Sequence, residues 1–371
     1  MTTLEKIGLL GNAGFYDKCS GTECKTTMHK SLLSSVYPAV TGNGKCINLF
    51  KTLMTNSCSH DCKYCFNRVG SKCAKAIYEP QELVTTFLNM KRLGYVQGLF
   101  LSSGIGRDPD ETMTRMVRAI EILREQYHFK GYVHLKVLPG VNRYLVHRAC
   151  ALADRVSINV ETTSDHLSEL SSDKDFKGLV RRLNWIASEE RRGFIPWGLT
   201  TQFIVGGDDE TDEEVISSVS RLYSAFKLRR VYFSTFTPVS GTPLEGKSGV
   251  NPLRGHRLYQ TDFLLRKYGF EFKDLIFRDG FLDVNHDPKV LAALNSDKFP
   301  LEVNEASRDD LIRVPGIGLR TVDRLLALRP FNSLKGLRSI GVITKRAAPF
   351  IRVNGQGQTT LTNYLNIPEL D

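Results

Sequence analysis

The chain has 371 residues, with 50 Lys and Arg against 40 Asp and Glu, and a formal net charge of +10. That length accommodates one large domain plus a small one, and the apolar and charged fractions exclude wholesale disorder. No apolar run is long enough to cross a bilayer, and the opening "MTTLEKIGLLGNAGFYDKCS" lacks the basic stretch and apolar core of a signal peptide. The expectation is a cytoplasmic protein with no membrane partner, whose eight cysteines are metal ligands or free thiols rather than disulfides.

Residues 1–45 read as an irregular N-terminal segment with one short helix near Thr3 to Tyr16. Apolar strands then alternate with helical spacing. The strands are "CINLFKTLM" from Cys46, "GLFLSSG" from Gly98, "GYVHLKVLPG" from Gly131, "RVSINVETTS" from Arg155, "GLTTQFIVGG" from Gly198 and "RVYFSTFTPV" from Arg230. Each is followed by a helical stretch, and such a run implies parallel strands with crossover helices. The predicted fold class is α/β, a partial (β/α)6 TIM-like barrel over residues 46–285. In such barrels the chemistry gathers at the C-terminal ends of the strands. A small all-α domain is expected over 298–355, followed by a tail, 356–371.

The first strand runs into "TNSCSHDCKYCFNR", where Cys58, Cys62 and Cys65 fall within eight residues. Three thiolates bind three irons of a cubane 4Fe–4S cluster and leave the fourth iron open to a small chelating molecule. The competing reading is a zinc knuckle closed by Cys73 or His60, in a nucleic-acid-binding protein without catalysis. Four further cysteines, Cys19, Cys24, Cys46 and Cys73, make a candidate second metal site, a second iron–sulfur cluster among the options. Cys150, in an apolar helical stretch, reads as a buried small hydrophobe.

Toward the C-terminus, "LIRVPGIGLRTVDRLLALR" has a helix–hairpin–helix signature. Pro315, Gly316, Ile317 and Gly318 form the turn between two helices. Glycines there permit tight geometry with outward amides, which together with a helix N-terminus suit a phosphate. Arg320 and Arg324 supply flanking charge. "FNSLKGLRSIGVITKRAA" reads as a second, degenerate half-unit with Gly336 and Gly341. From Leu311 to Arg352 there are nine basic residues against Asp323 alone. A basic module on a near-neutral body points to a polyanion, and contacts of this kind read the backbone rather than the base sequence.

The CxxxCxxC spacing after the first strand, with Tyr64 before the third cysteine, resembles the radical SAM superfamily. That resemblance implies a 4Fe–4S cluster, S-adenosylmethionine (SAM), and an electron donor such as flavodoxin or ferredoxin. It implies SAM contacts at Tyr64, at Ser102, Ser103 and Gly104 on the second strand's end, and at Asn159 and Glu161 on the fourth. Further contacts are implied at Gln202, Ile204 and Gly206 in the fifth-strand pattern, with Asp209 standing in for that pattern's glutamate, and at Val239 in "TPVSGTP". Lys136 and Arg143 are candidates for an anionic group. The chain as a whole, through "FYDKC", "GKCINLFKTLMTNSCSHDCKYCFNR", "LDVNHDPK" and "EVNEASRDDLIRVPGIG" among other stretches, resembles a family of radical SAM proteins assigned to DNA modification or repair. "SGTECKTTMHKSLLSSVYPAVTGNG" departs from the family's pattern and leaves Cys24 in doubt as a family-like ligand. The resemblance implies a nucleic-acid substrate, DNA ahead of RNA, and a uracil-DNA-glycosylase-like partner. A barrel enzyme that modifies transfer RNA is the alternative.

Overall fold

The computed structural model describes residues 1–13, 35–40 and 46–357. Helix α1 (Thr3–Ala13) comes first, within the short helix expected near Thr3 to Tyr16, of which residues 14–16 lie outside the described residues. A mixed sheet of seven strands follows in simple sequence order: β1 (Val36–Val40), β2 (Cys46–Leu53), β3 (Gly98–Ser102), β4 (Val133–Lys136), β5 (Arg155–Ser157), β6 (Leu199–Val205) and β7 (Arg230–Thr235). From β2 to β7 every pair is parallel. Strand β1 runs antiparallel to β2, with Val36 opposite Phe50. It was not foreseen in the sequence, where this stretch reads as irregular. Pro38 has no N–H to donate and is tolerated at a sheet edge.

Helices α2 (Pro80–Arg92), α3 (Pro109–Glu121), α4 (Arg143–Leu152), the short α5 (Leu167–Leu170), α6 (Phe176–Arg191), α7 (Asp212–Phe226) and α8 (Pro252–Lys267) connect or follow these strands. Their starts are locally encoded. Asp108, Asn142 and Asp175 accept backbone N–H bonds at the first turns of α3, α4 and α6, each cap contributing about 1 kcal/mol.

Alternation along the strands divides the sheet into two unlike faces. Phe50, Leu101, Leu135, Val156, Phe203 and Phe233 are all fully buried positions of one face. The other face carries Lys51, Ser102, His134, Ser157 and Gln202, and beyond β5 the same alternation brings Asn159 and Glu161 to it. On that face Phe100 stacks on His134 with ring centres 4.2 Å apart, and His134 meets Ser157 Oγ at 2.8 Å. Among the described residues no helix is long and apolar enough to cross a membrane.

The chain divides into two compact units, residues 1–210 with 218–255, and residues 211–217 with 256–371. The second therefore takes in more than the expected 298–355. Its connector is part of its packing: Tyr268 lies against the hairpin core, and Lys289 of α9 (Pro288–Leu294) donates to the Ile317 carbonyl at 2.7 Å. Strand β8 (Leu301–Glu302) pairs in parallel with β9 (Ile351–Arg352). Between them lie α10 (Arg308–Arg313), α11 (Leu319–Leu328), α12 (Leu334–Ser339) and α13 (Thr344–Ala347), around a core that includes Leu311, Ile317, Val322, Leu337, Val342 and Phe350.

Candidate functional site

The loop carrying Cys58, Cys62 and Cys65 leaves the C-terminal end of β2 and has no regular structure. Three segments pin it by backbone bonds. Ser59 N donates to Ile105 O at 2.7 Å, Lys63 N to Leu170 O at 2.9 Å, and Leu244 N to Lys63 O at 3.4 Å. Asp61 adds side-chain ties, accepting from the Ser171 and Ser172 hydroxyls at 2.7 Å each. Burial alone would raise its carboxyl pKa, but these donors hold it well below the usual range. Gly104 lies where β3 passes this loop. Its N–H donates to Thr55 O at 2.7 Å, and a Cβ there would stand 2.6 Å from Ser57 O.

The sulfurs receive polar contacts of their own. Ile105 N–H points at Cys58 Sγ at 3.4 Å, and Cys62 Sγ lies 3.6 Å from Ser171 Oγ. Burial pushes the Cys58 thiol up, and pushes Cys65 to about 12 with the Cys62 charge adding to it. Burial acts on Cys62 in the same direction, but the Lys174 charge, with side-chain contacts to His60 and Ser171, outweighs it, so this thiol is lowered. His60 Nδ1, within the loop, is buried without a hydrogen-bond partner.

Among the described residues no three His, Cys, Asp or Glu side chains stand close enough to hold one metal ion. A zinc ion gathers its donors at about 2.3 Å around one point, whereas a cubane takes each thiolate on a separate iron. The N–H···S contacts, the shared burial and the mutual charge effects of the three thiols suit such a cluster.

Beyond β5, Glu161 adopts φ +68, a left-handed conformation that costs a non-glycine residue roughly 1–2 kcal/mol. Its own backbone bonds hold it there, N to Gln202 O at 3.1 Å and O from Ile204 N at 2.5 Å. The Glu161 carboxylate is buried and takes a bond from Lys174 Nζ at 2.6 Å, while Asn159 Nδ2 reaches its other oxygen at 3.4 Å. Lys174 also donates to Tyr64 Oη at 2.9 Å, joining Tyr64 and Glu161. Burial lifts the Tyr64 hydroxyl far above its ordinary value, so it stays protonated. Lys174 was missed in the sequence. It sits on a connection between helices, thirteen residues from Glu161, with no periodic signal.

The fifth-strand expectation needs one correction. Asp209 does not play the glutamate's part: its side chain is 95% exposed and pairs with Lys247 at 3.3 Å. The acid that folds back is Glu210, 1% exposed, which accepts from Gly206 N–H and, at 3.2 Å, from Asp208 N–H. Its longer side chain spans the turn from four residues on. Gly206 has φ +80, and a Cβ would lie 2.1 Å from a Val250 methyl. Gln202, Ile204 and Val239 are buried, and Val239 O accepts from Thr242 Oγ1 at 2.7 Å. Ser103 Oγ accepts from Thr55 N at 3.3 Å. Of the two further candidates, Lys136 is half-buried at the end of β4, while Arg143 is exposed at the start of α4.

The second candidate metal site is only partly described. Cys19 and Cys24 lie outside the described residues. Cys46 is disulfide-bonded, against the expectation of free thiols or metal ligands, and a sulfur so bonded offers no thiolate to a metal. Cys73 is free, 3.9 Å from Phe66 O. Cys150 is free and 1% exposed, as expected of a buried hydrophobe.

In the second unit, the turn between α10 and α11 has Gly316 at φ +87, where a Cβ would meet Ile343 O at 2.6 Å. Ile343 N in turn donates to Gly316 O at 3.0 Å, so the second turn, with Gly341 at φ +102, docks on the first. Pro315 and Ile317 are buried, Gly318 caps α11, and Arg320 and Arg324 are exposed on α11. The Tyr268 hydroxyl reaches the Leu319 amide at the helix start.

Residues 52–222 match the family described as the Radical SAM superfamily. Among solved structures, methylornithine synthase (PylB) is 18% identical with a TM-score of 0.46, over 58% of this chain and 61% of that one. The FeFe-hydrogenase maturase HydG from Carboxydothermus hydrogenoformans is 14% identical with a TM-score of 0.48, over 58% of this chain and 50% of that one. A spore photoproduct lyase mutant with bound AdoMet and dinucleoside spore photoproduct is 13% identical with a TM-score of 0.36, over 62% of this chain and 65% of that one. This chain thus spans less than two thirds of the length of each. No curated relative matches it.

Proposed function

We propose that the chain, whose residues 52–222 match the Radical SAM superfamily, is a radical SAM enzyme with the 4Fe–4S cluster and SAM this match implies, acting on nucleic acid, DNA ahead of RNA, in modification or repair. One observation carries the reading. The chain that holds a three-cysteine loop at the C-terminal end of a parallel sheet also holds a basic stretch, Leu311 to Arg352, with two docked glycine turns.

On this reading Cys58, Cys62 and Cys65 each take one iron. When bound, the cluster supplies one electron to cleave SAM into methionine and a 5′-deoxyadenosyl radical. The protein's own part is positioning. Gly104 admits the loop against β3, Glu161 and Asn159 present polar atoms for the ribose hydroxyls, and Ile204 and Val239 offer apolar contact for the adenine. Tyr64 stays a neutral donor beside them. Burial of Glu161, Gln202 and Ile204 at this end of the sheet keeps water from a reactive species. The turn Pro315–Gly318, with Arg320 and Arg324, contacts phosphates. A paired base leaves its stack to be reached.

The test begins with anaerobic purification and measurement of iron, sulfide and zinc per chain. About four irons with matching sulfide, and SAM cleavage lost in Cys58→Ala, are expected. Zinc alone after reconstitution, or full cleavage in that variant, overturns the assignment. Salt-dependent binding to duplex DNA, single strands and transfer RNA then identifies the substrate class. Preference for transfer RNA would favour the RNA-modifying alternative. A pull-down with a uracil-DNA-glycosylase-like protein tests the partner.

A further inference from the structure

Lys174 belongs to no helix or strand, yet its side chain is 7% exposed against a Glu161 side chain that is 8% exposed. Its Nζ stands 2.6 Å from Glu161 Oε1, 2.9 Å from Tyr64 Oη and 5.6 Å from the centre of the Tyr64 ring. Tyr64 directly precedes Cys65, and Ser171, three residues before Lys174, meets Cys62 Sγ at 3.6 Å. The ammonium is thereby packed against the cysteine loop where water screens it poorly. A buried ion pair is weak evidence of a stabilising role, because desolvating both charges offsets most of their attraction. Stability does not account for a cation here.

We propose, resting on the reading of this loop as a cluster site, that Lys174 is a positioning residue with an electrostatic role, in which it ties the Glu161 carboxylate to the Tyr64 hydroxyl and its charge favours the reduced cluster. Reduction adds one electron, taken from a low-potential one-electron donor, to a cluster already made anionic by three thiolates. No proton moves and no bond breaks. A cation held close in a low-dielectric region stabilises the added negative charge. Glu161 acts with the opposite sign, so the pair sets the potential by difference and either half can be removed alone.

The experiment is a dithionite titration of the reconstituted full chain without SAM, followed by electron paramagnetic resonance of the reduced cluster. Lys174→Met is expected to lower the midpoint potential, Glu161→Gln to raise it, and Lys174→Arg to restore most of what methionine loses. Opposite shifts from two members of one pair are not what a merely structural contact gives. Unchanged midpoints at full iron content, or shifts of the same sign, overturn the proposal. If Lys174→Met fails to assemble, the Glu161→Gln shift decides: upward supports it, none or downward refutes it. A wild-type chain that takes up no iron sinks the proposed function and this inference together. A wild-type chain that binds iron and cleaves SAM, with variant midpoints unmoved, sinks this inference alone.

Discussion

Replacing Gly104 by alanine puts a methyl group 2.6 Å from the Ser57 carbonyl oxygen and 3.2 Å from that of Thr55. Carbon and oxygen settle at about 3.3 Å even in favourable contacts, so the cysteine loop or the end of β3 must yield by roughly 0.7 Å. Neither is a flexible side-chain tip. Thr55 O already accepts from Gly104 N at 2.7 Å, and Ser59 N is bound to Ile105 O at 2.7 Å, so yielding stretches bonds on both sides of Cys58. Overpacking of this kind costs about 1–3 kcal/mol. At roughly 2–4 °C per kcal/mol for a domain of this size, the melting temperature of the apo protein is expected to fall by about 2–12 °C. Cluster retention should fall with it, read as faster iron loss to a chelator under anaerobic conditions. Gly8→Ala is the control. It lies within α1 with nothing within 4 Å of the added methyl, and alanine there should stabilise by about 0.5–1 kcal/mol. A Gly104→Ala protein that melts and holds iron like wild type would refute the claim that this glycine exists to admit the loop.

Glu210→Ala leaves the buried amide of Gly206 and the part-buried amide of Asp208 without their acceptor; a loss of about 1–3 kcal/mol for the Gly206 group is expected in denaturant unfolding, whereas Asp209→Ala should be near neutral. Burial lowers the Lys289 amine to about 7, against an unfolded value of about 10.4. Between those values the unfolded chain binds the proton and the folded chain does not, so this group makes stability rise with pH across that window, its cost being fully present below it. Lys289→Met should flatten that rise, and a wild-type-minus-variant difference that is constant from pH 6 to about 10 would count against the burial argument. Arg320→Glu with Arg324→Glu should weaken polyanion binding across sequences and reduce the salt slope by roughly one unit for each phosphate no longer neutralised; an unchanged slope in filter binding would remove α11 from the interface.

The parallel part of the sheet was legible because each strand carries its apolar residues with the right period and ends in small or polar ones. Strand β1 was not, since "VYPAV" is short, contains Pro38 and gains its identity only from pairing with β2. The cysteine loop was legible from spacing alone. Lys174 was invisible because its partners Tyr64 and Glu161 come from two other segments, and a loop lysine has no period to betray it. The choice between Asp209 and Glu210 turned on burial. Three consecutive acids, Asp208 to Glu210, all suit a turn, and only the fold decides which of them reaches back to the Gly206 amide.

The same three-dimensional accounting explains how a loop without secondary structure can serve as a ligand frame. Ordering each backbone residue costs about 1–2 kcal/mol of conformational entropy, which over the stretch from Cys58 to Cys65 is comparable with the stability of a whole domain. Hydrogen bonds with Ile105, Leu170 and Leu244 and the Asp61 contacts with Ser171 and Ser172 offset that cost from segments on three sides. Each of those segments follows the C-terminal end of a different strand, β3, β5 or β7. The parallel sheet therefore fixes the cysteine frame by gathering these strand ends at one place, and the loop need supply little beyond the thiols and their spacing.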